Sequence, residues 1–455
     1  MNTRSWYLRT LILAVLSTSL GLSACSKPGT TAPQNALEPC PEAATPPETP
    51  AEVPELQHIV LLIGDGMGPQ QIGLLELYAR YAGDPRYPEG MSHIGRLMRD
   101  GATGVVIATP SNGLVNDSAG AATQLGSGVL TTFGATGLDM NGDPVPSALV
   151  VAKERGMSTG LVSDTRLTHA TPAAFAAHVA DRWDETTIAS QMLETAPDLM
   201  FSGGWRYFLP RTIADDEATK TALSQRYELS PESIVGRRRD DRNLLDEAQQ
   251  AGYKVITHAA ALDDLSQLPA LGLFAPNGMQ SGTEWWAEQN SQSPSEPSLR
   301  TMSVRALELL EATGQGMFLM IEGGQIDWAG HNNQAQRLLY EMLRFDETVG
   351  AVLAWAENRD DTVVILTADH ETGGFSIHYD TNGPPDATLF DALDTSPNYV
   401  SWATTAHTHT PVFATAYGER NFTAPFAGIY HQSQLGEMIL ELVHLVTPVD
   451  STPLP

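Results

Sequence analysis

Cysteine is almost missing from this 455-residue chain: it has two, Cys25 and Cys40, and no CxxC pair. A disulfide framework and a thiolate zinc site are therefore both excluded, and any metal must be held by Asp, Glu, His and hydroxyl groups. Positive charge is scarce as well, with 26 Lys and Arg against 54 Asp and Glu and a formal charge of −28. That balance leaves no basic surface for nucleic acid and reads as a solubility feature. Aromatics make up only 7% of residues, whereas there are 39 glycines and 30 prolines, which suits an α/β protein with many loops. Hydrophobic residues at 42% are enough to bury a substantial core.

The N-terminus reads as an address. Arg4 and Arg9 precede an apolar run over 11–22, too short for a comfortable membrane span and of the length of a secretory signal. The run closes on Leu22-Ser23-Ala24-Cys25, which resembles a bacterial lipobox, so that 1–24 would be a signal peptide and Cys25 the lipidated first residue. Loss of Arg4 and Arg9 and no acid would take the charge from −28 to −30. Residues 25–56, rich in Pro, Ala, Thr and Glu, form a flexible tether in which Cys40 is an idle thiol. The expected location is outside the inner membrane, anchored by lipid and facing the periplasm or cell surface.

One domain is expected over 57–455. Apolar runs at 59–63, 104–108, 158–163, 317–321 and 362–366 read as buried strands, most of them followed by glycines or polar turns and then a helical pattern. Repeated strand, turn and helix predicts βαβ units in a three-layer α/β/α fold with a central, mostly parallel sheet. The irregular stretch over about 185–297 reads as peripheral insertions, and its run of arginines near 237–242 as a solvated loop. A helix is expected to start at Pro172 and continue towards His178 and Arg182.

The strand ends carry the chemistry. The stretch 317–333 ends its apolar run on Glu322, passes Gly323-Gly324, and offers Asp327 and His331 at i, i+4 spacing on one helical face. Asp65 follows the strand over 59–63, Asp369 and His370 follow the one over 362–366, and His407 comes later. Ser118 lies near a helix start, and Thr171 lies in the turn His169 to Pro172. Taken singly, Asp65 is an Asp-Gly turn and Ser118 a plain N-cap. Together they are oxygen and nitrogen ligands sufficient for two or three divalent ions, a number that suits phosphoryl transfer. Arg182 would add a planar fork for phosphoryl oxygens.

These motifs, in this order, resemble an alkaline phosphatase: Gly64-Asp65-Gly66-Met67-Gly68, Asp117-Ser118-Ala119, His169-Ala170-Thr171-Pro172-Ala173, Ile321-Glu322-Gly323-Gly324, Asp327 with His331, Thr367-Ala368-Asp369-His370, and His407-Thr408. The resemblance implies a metal-dependent phosphomonoesterase with Ser118 as a transiently phosphorylated nucleophile, Arg182 binding phosphate and Asp117 orienting it. It implies two zinc ions, the first on Asp327, His331 and His407 and the second on Asp65, Asp369 and His370. A third, usually magnesium, would use Glu322, Thr171 and a shared Asp65. His169 and Trp328 stand where the best-known bacterial pattern has aspartate and lysine, which leaves the third metal's identity open and weakens the hold on phosphate. Such enzymes are often homodimers, and no interface is readable here. Alternatives are a phosphodiesterase or sulfatase of the wider two-metal superfamily, and a non-catalytic metal- or phosphate-binding lipoprotein.

Overall fold

The computed structural model describes residues 54–288, 296–378, 387–395 and 399–447. The signal and lipobox readings, Cys25 and Cys40 included, and the tether up to residue 53 lie outside them; Leu56, read as the tether's last residue, is instead buried in the core. Fourteen strands are found among the described residues: β1 (His58–Gly64), β2 (Ala102–Ile107), β3 (Ser158–Arg166), β4 (Leu199–Gly203), β5 (Lys254–Ile256), β6 (Ala270–Leu273), β7 (Met317–Gly323), β8 (Thr362–Ala368), β9 (Glu371–Thr372), β10 (Phe375–Ile377), β11 (Val400–Trp402), β12 (His407–Thr408), β13 (Val412–Gly418) and β14 (Gly428–His431). Ten of them form one sheet in the order β14-β2-β13-β8-β1-β7-β3-β4-β6-β5. Every neighbouring pair is parallel except those made by β13, which runs against both β8 and β2.

The central strands β1, β7 and β8 are largely apolar because both faces are covered, whereas β3 buries polar residues as well. β1, β3, β7 and β8 are buried at every residue. One set of helices comprises Pro69–Tyr81, His93–Asp100, Leu299–Glu311 and Ala335–Ala356. The other comprises Ser118–Ser127, Ala148–Glu154, Ala170–Ala174 and Gln432–Leu445, and both sets pack on β3 and β7. Asp346, an acid inside the apolar face of Ala335–Ala356, is fully buried and accepts from the amides of His93 (3.2 Å) and Ile94 (2.8 Å). It thereby satisfies free N–H groups at the start of the helix His93–Asp100.

Three expectations need correction. The region over 185–297 does not only decorate the domain, because β4, β5 and β6 come from it and complete one side of the main sheet. The helix after β3 is Ala170–Ala174, starting two residues before Pro172 and stopping well short of Arg182, which lies on a loop whose amide donates to Gly134 O at 3.2 Å. Arg238 is not solvated: it is buried, bonded to Asp240, to Thr186 O at 2.7 Å and to Ser190 Oγ at 3.2 Å. Its burial is tolerable because its donors find acceptors.

Candidate active site

Strand register brings the first ligands to one level. β1 pairs with both β7 and β8 so that Gly64 faces Gly323 on one side and Ala368 on the other. Glu322 therefore ends β7 beside Ser163 of β3, while Asp65 and Asp369 project just past their strands. Gly66 allows the turn: its φ is +77° and a Cβ there would lie 2.7 Å from Asp327 Cα. The same glycine amide donates to Asp369 Oδ1 at 3.0 Å.

Three groups of donor atoms form at this edge, each with its atoms within 4.8 Å of one another: Asp327, His370 and His407; Asp65, Asp369 and His370; and Asp65, His169 and Glu322. His331 joins the first, its Nε2 lying 3.1 Å from His407 Nε2 and 3.4 Å from Asp327 Oδ2. Both rings have their Nδ1 on a carbonyl, of Thr405 (2.7 Å) and Asn116 (2.9 Å), which fixes the proton there and turns the bare nitrogens towards each other. Two lone pairs facing a carboxylate call for a positive charge between them.

The other two groups carry the same demand. Asp65 Oδ1 and Oδ2, Asp369 Oδ2, Glu322 Oε1, Thr171 Oγ1 and His169 Nδ1 are all buried and make no hydrogen bond. Buried polar atoms are rarely left so, and this many in one place fit divalent cations held by oxygen and nitrogen. Burial, followed by the charges of Asp369, Asp327 and Glu322, pushes the Asp65 carboxyl well above the usual range. Burial likewise raises Asp369, to about 7, with Asp327 adding to it. Burial pushes the His370 and His169 rings down, keeping them neutral as ligands must be. For Asp327, burial is outweighed by His407, which holds the carboxyl below its ordinary value.

Ser118 sits against these groups. It is buried, and its Oγ lies 3.3 Å from His370 Nε2. It is the first helical residue rather than the cap expected from the sequence: Asp117 caps the helix, its Oδ1 accepting from Gly120 N at 3.1 Å. Asp117 Oδ2 accepts from Arg182 Nη1 at 3.0 Å, and Arg182 Nη2 lies 3.3 Å from His169 Nε2. The guanidinium thus joins Asp117, the residue before the nucleophile, to His169 of the third group. Trp328 is partly buried, edge-on to His169 with centroids 5.9 Å apart, and the Arg166 guanidinium lies 5.9 Å from its ring centre.

Several supporting residues were not singled out by the sequence. Ser163 and Thr165 donate to Glu322, and Thr372 Oγ1 donates to Asp327 at 2.6 Å. Glu185 accepts from Arg166 Nε and Thr168 Oγ1, both at 2.6 Å, and steadies the turn leading to His169. Thr372 stands two residues after His370, a polar position that could have been flagged, whereas nothing local marks Glu185.

The profile of the alkaline phosphatase family matches residues 56–420. Alkaline phosphatase 4 of Bacillus subtilis is 34% identical over 331 residues, 71% of this chain but only 63% of that relative. The alkaline phosphatase of Escherichia coli is 29% identical over 422 residues, 83% of this chain and 84% of that one. Among solved structures, the alkaline phosphatase of the Antarctic bacterium TAB5 superposes with a TM-score of 0.68 at 26% identity, covering 86% of this chain and 98% of its own. A histidine-to-aspartate variant of the TAB5 enzyme has Mg bound in its M3 site. By the family match over most of its length, and by a site that gathers every motif of the resemblance, this chain belongs to the alkaline phosphatase family.

Proposed function

We propose that this protein hydrolyses phosphate monoesters through a phosphoserine on Ser118, releasing inorganic phosphate. The observation that carries the reading is the set of unpaired buried donor atoms, one group of which, Asp65 and Asp369, shares His370, whose Nε2 lies 3.3 Å from the Ser118 hydroxyl. Asp327, His331 and His407 would hold one zinc ion, and Asp65, Asp369 and His370 a second. Asp65, Glu322 and Thr171, with His169 beside them, would hold the third, magnesium-type ion. When bound, such cations lower the pKa of attacking oxygens and neutralise charge developing on phosphate.

The chain's own groups do the rest. Ser118 Oγ attacks phosphorus and gives up its proton while the ester oxygen leaves and takes one up as the alcohol, and water then attacks the phosphoserine, releasing inorganic phosphate and restoring the Ser118 hydroxyl. Arg182, held in register by Asp117, offers Nη1 and Nη2 to two phosphoryl oxygens. The free N–H groups at the start of Ser118–Ser127 favour the anion. Ser118→Ala should abolish p-nitrophenyl phosphate turnover, by about 10⁴-fold or more, while metal content measured by mass spectrometry is retained. Full residual turnover would overturn the mechanism, and faster cleavage of bis-p-nitrophenyl phosphate would favour a diesterase.

A further inference from the structure

The residue after Arg182 is a tryptophan left in the open. Trp183 is 66% exposed, in a chain with few aromatics, although tryptophan is ordinarily well buried. Its ring centre lies 5.3 Å from the Arg182 guanidinium carbon, and its amide donates to Asp181 Oδ1 at 3.0 Å, fixing the turn. A second exposed ring, Phe133, at 57%, precedes Gly134, whose amide donates to Asp117 Oδ1 at 2.8 Å. Phe133 is itself fixed through its amide to Asn112 Oδ1 at 2.8 Å. The Arg182 amide donates to Gly134 O at 3.2 Å, so the two rings stand on hydrogen-bonded neighbouring turns beside the pair Asp117 and Arg182.

In-line displacement sends the leaving group away from the attacking oxygen. Ser118 is buried, so the leaving group departs towards solvent, and Trp183 is an exposed ring beside the arginine. Resting on the proposed phosphomonoesterase activity, we propose that Trp183, with Phe133 on the neighbouring turn, is a specificity-determining platform that stacks the ring of an aryl or nucleoside leaving group. Stacking a base on an aromatic ring contributes enough to shift rates several-fold to a hundredfold. A small aliphatic ester such as glycerol phosphate has no ring to offer and gains nothing.

The test compares kcat/KM for phenyl phosphate, adenosine 5′-monophosphate and glycerol 2-phosphate in the full chain with its metals. For Trp183→Ala the first two should fall roughly tenfold, mainly through KM, with glycerol 2-phosphate within about twofold, and Trp183→Phe should restore most of the loss. Phe133→Ala, which leaves the Arg182 ring contact intact, should lower the same ratio. Equal losses on all three substrates would overturn the inference and place Trp183 in the service of Arg182. Unchanged ratios in both variants would overturn it as well. Failure of the unaltered protein to hydrolyse any of the three would instead overturn the phosphomonoesterase reading beneath it.

Discussion

An imidazole at position 169 brings a nitrogen donor, kept neutral by burial, into a group whose other donors are oxygens of Asp65, Glu322 and Thr171. Magnesium prefers oxygen ligands and retains water, whereas imidazole suits zinc and its neighbours. In His169→Asp, dialysed against equal zinc and magnesium, the magnesium bound per chain should rise towards one equivalent. Metal analysis showing an unchanged ratio would sink the argument. Residues were legible when their role followed from a neighbour in sequence, as with Asp369 and His370 at the end of an apolar run. They were illegible when the partner was distant: Arg238 looked like part of a charged loop because Thr186 and Ser190 lie some fifty positions away.

Among elements, the ribbon of β9 and β12 holds two candidate ligands, His370 just before β9 and His407 at the start of β12. Thr408 pairs with Glu371 and His407 with Thr372, and the rings of His370 and His407 stack with centroids 3.6 Å apart. Glu371 is buried and collects Gln71 Nε2 (2.8 Å), the amides of Gly374 and Phe375 (3.1 Å each) and the Thr408 hydroxyl. Removing that acceptor takes a partner from four donors at once and leaves the Gly374 and Phe375 amides without their side-chain acceptor. Glu371→Ala should therefore weaken zinc retention in a chelator competition by roughly tenfold to a hundredfold, with activity recovered at excess zinc. Identical release curves would show that the ribbon holds its shape without Glu371.

The segment leading into Leu299–Glu311 supplies a pH effect of definite sign. Glu296 accepts from Gln280 N at 2.7 Å, and burial pushes its carboxyl up to about 7 from 4.5. The folded state thus keeps a proton that the unfolded chain releases above about pH 4.5, so this group's contribution to stability declines as pH rises towards 7. Glu296→Gln, neutral throughout, should gain Tm relative to the unaltered protein between about pH 4.5 and 7 and hold the gain above. A difference independent of pH would refute the assignment. One strand direction, that of β13, escaped the sequence altogether. Nothing in residues 412–418 distinguishes an antiparallel β13 from a parallel one, because both faces are apolar and its neighbours are set by distant pairing.

Across the whole molecule, the order of the sheet is out of step with the order of synthesis. β2 (Ala102–Ile107) finds its sheet neighbours only in β13 and β14, beyond residue 411, while β1, β7 and β8 join to one another across the centre. Pairings so far apart in sequence form slowly and late. His407 arrives with the same closing segment, after Asp327, His331 and Asp369 have all been made. A chain still emerging from the ribosome therefore has neither a closed sheet nor a complete ligand set. Sheet and donor cluster are completed together when the last tenth of the polypeptide is laid beside a strand made near the beginning.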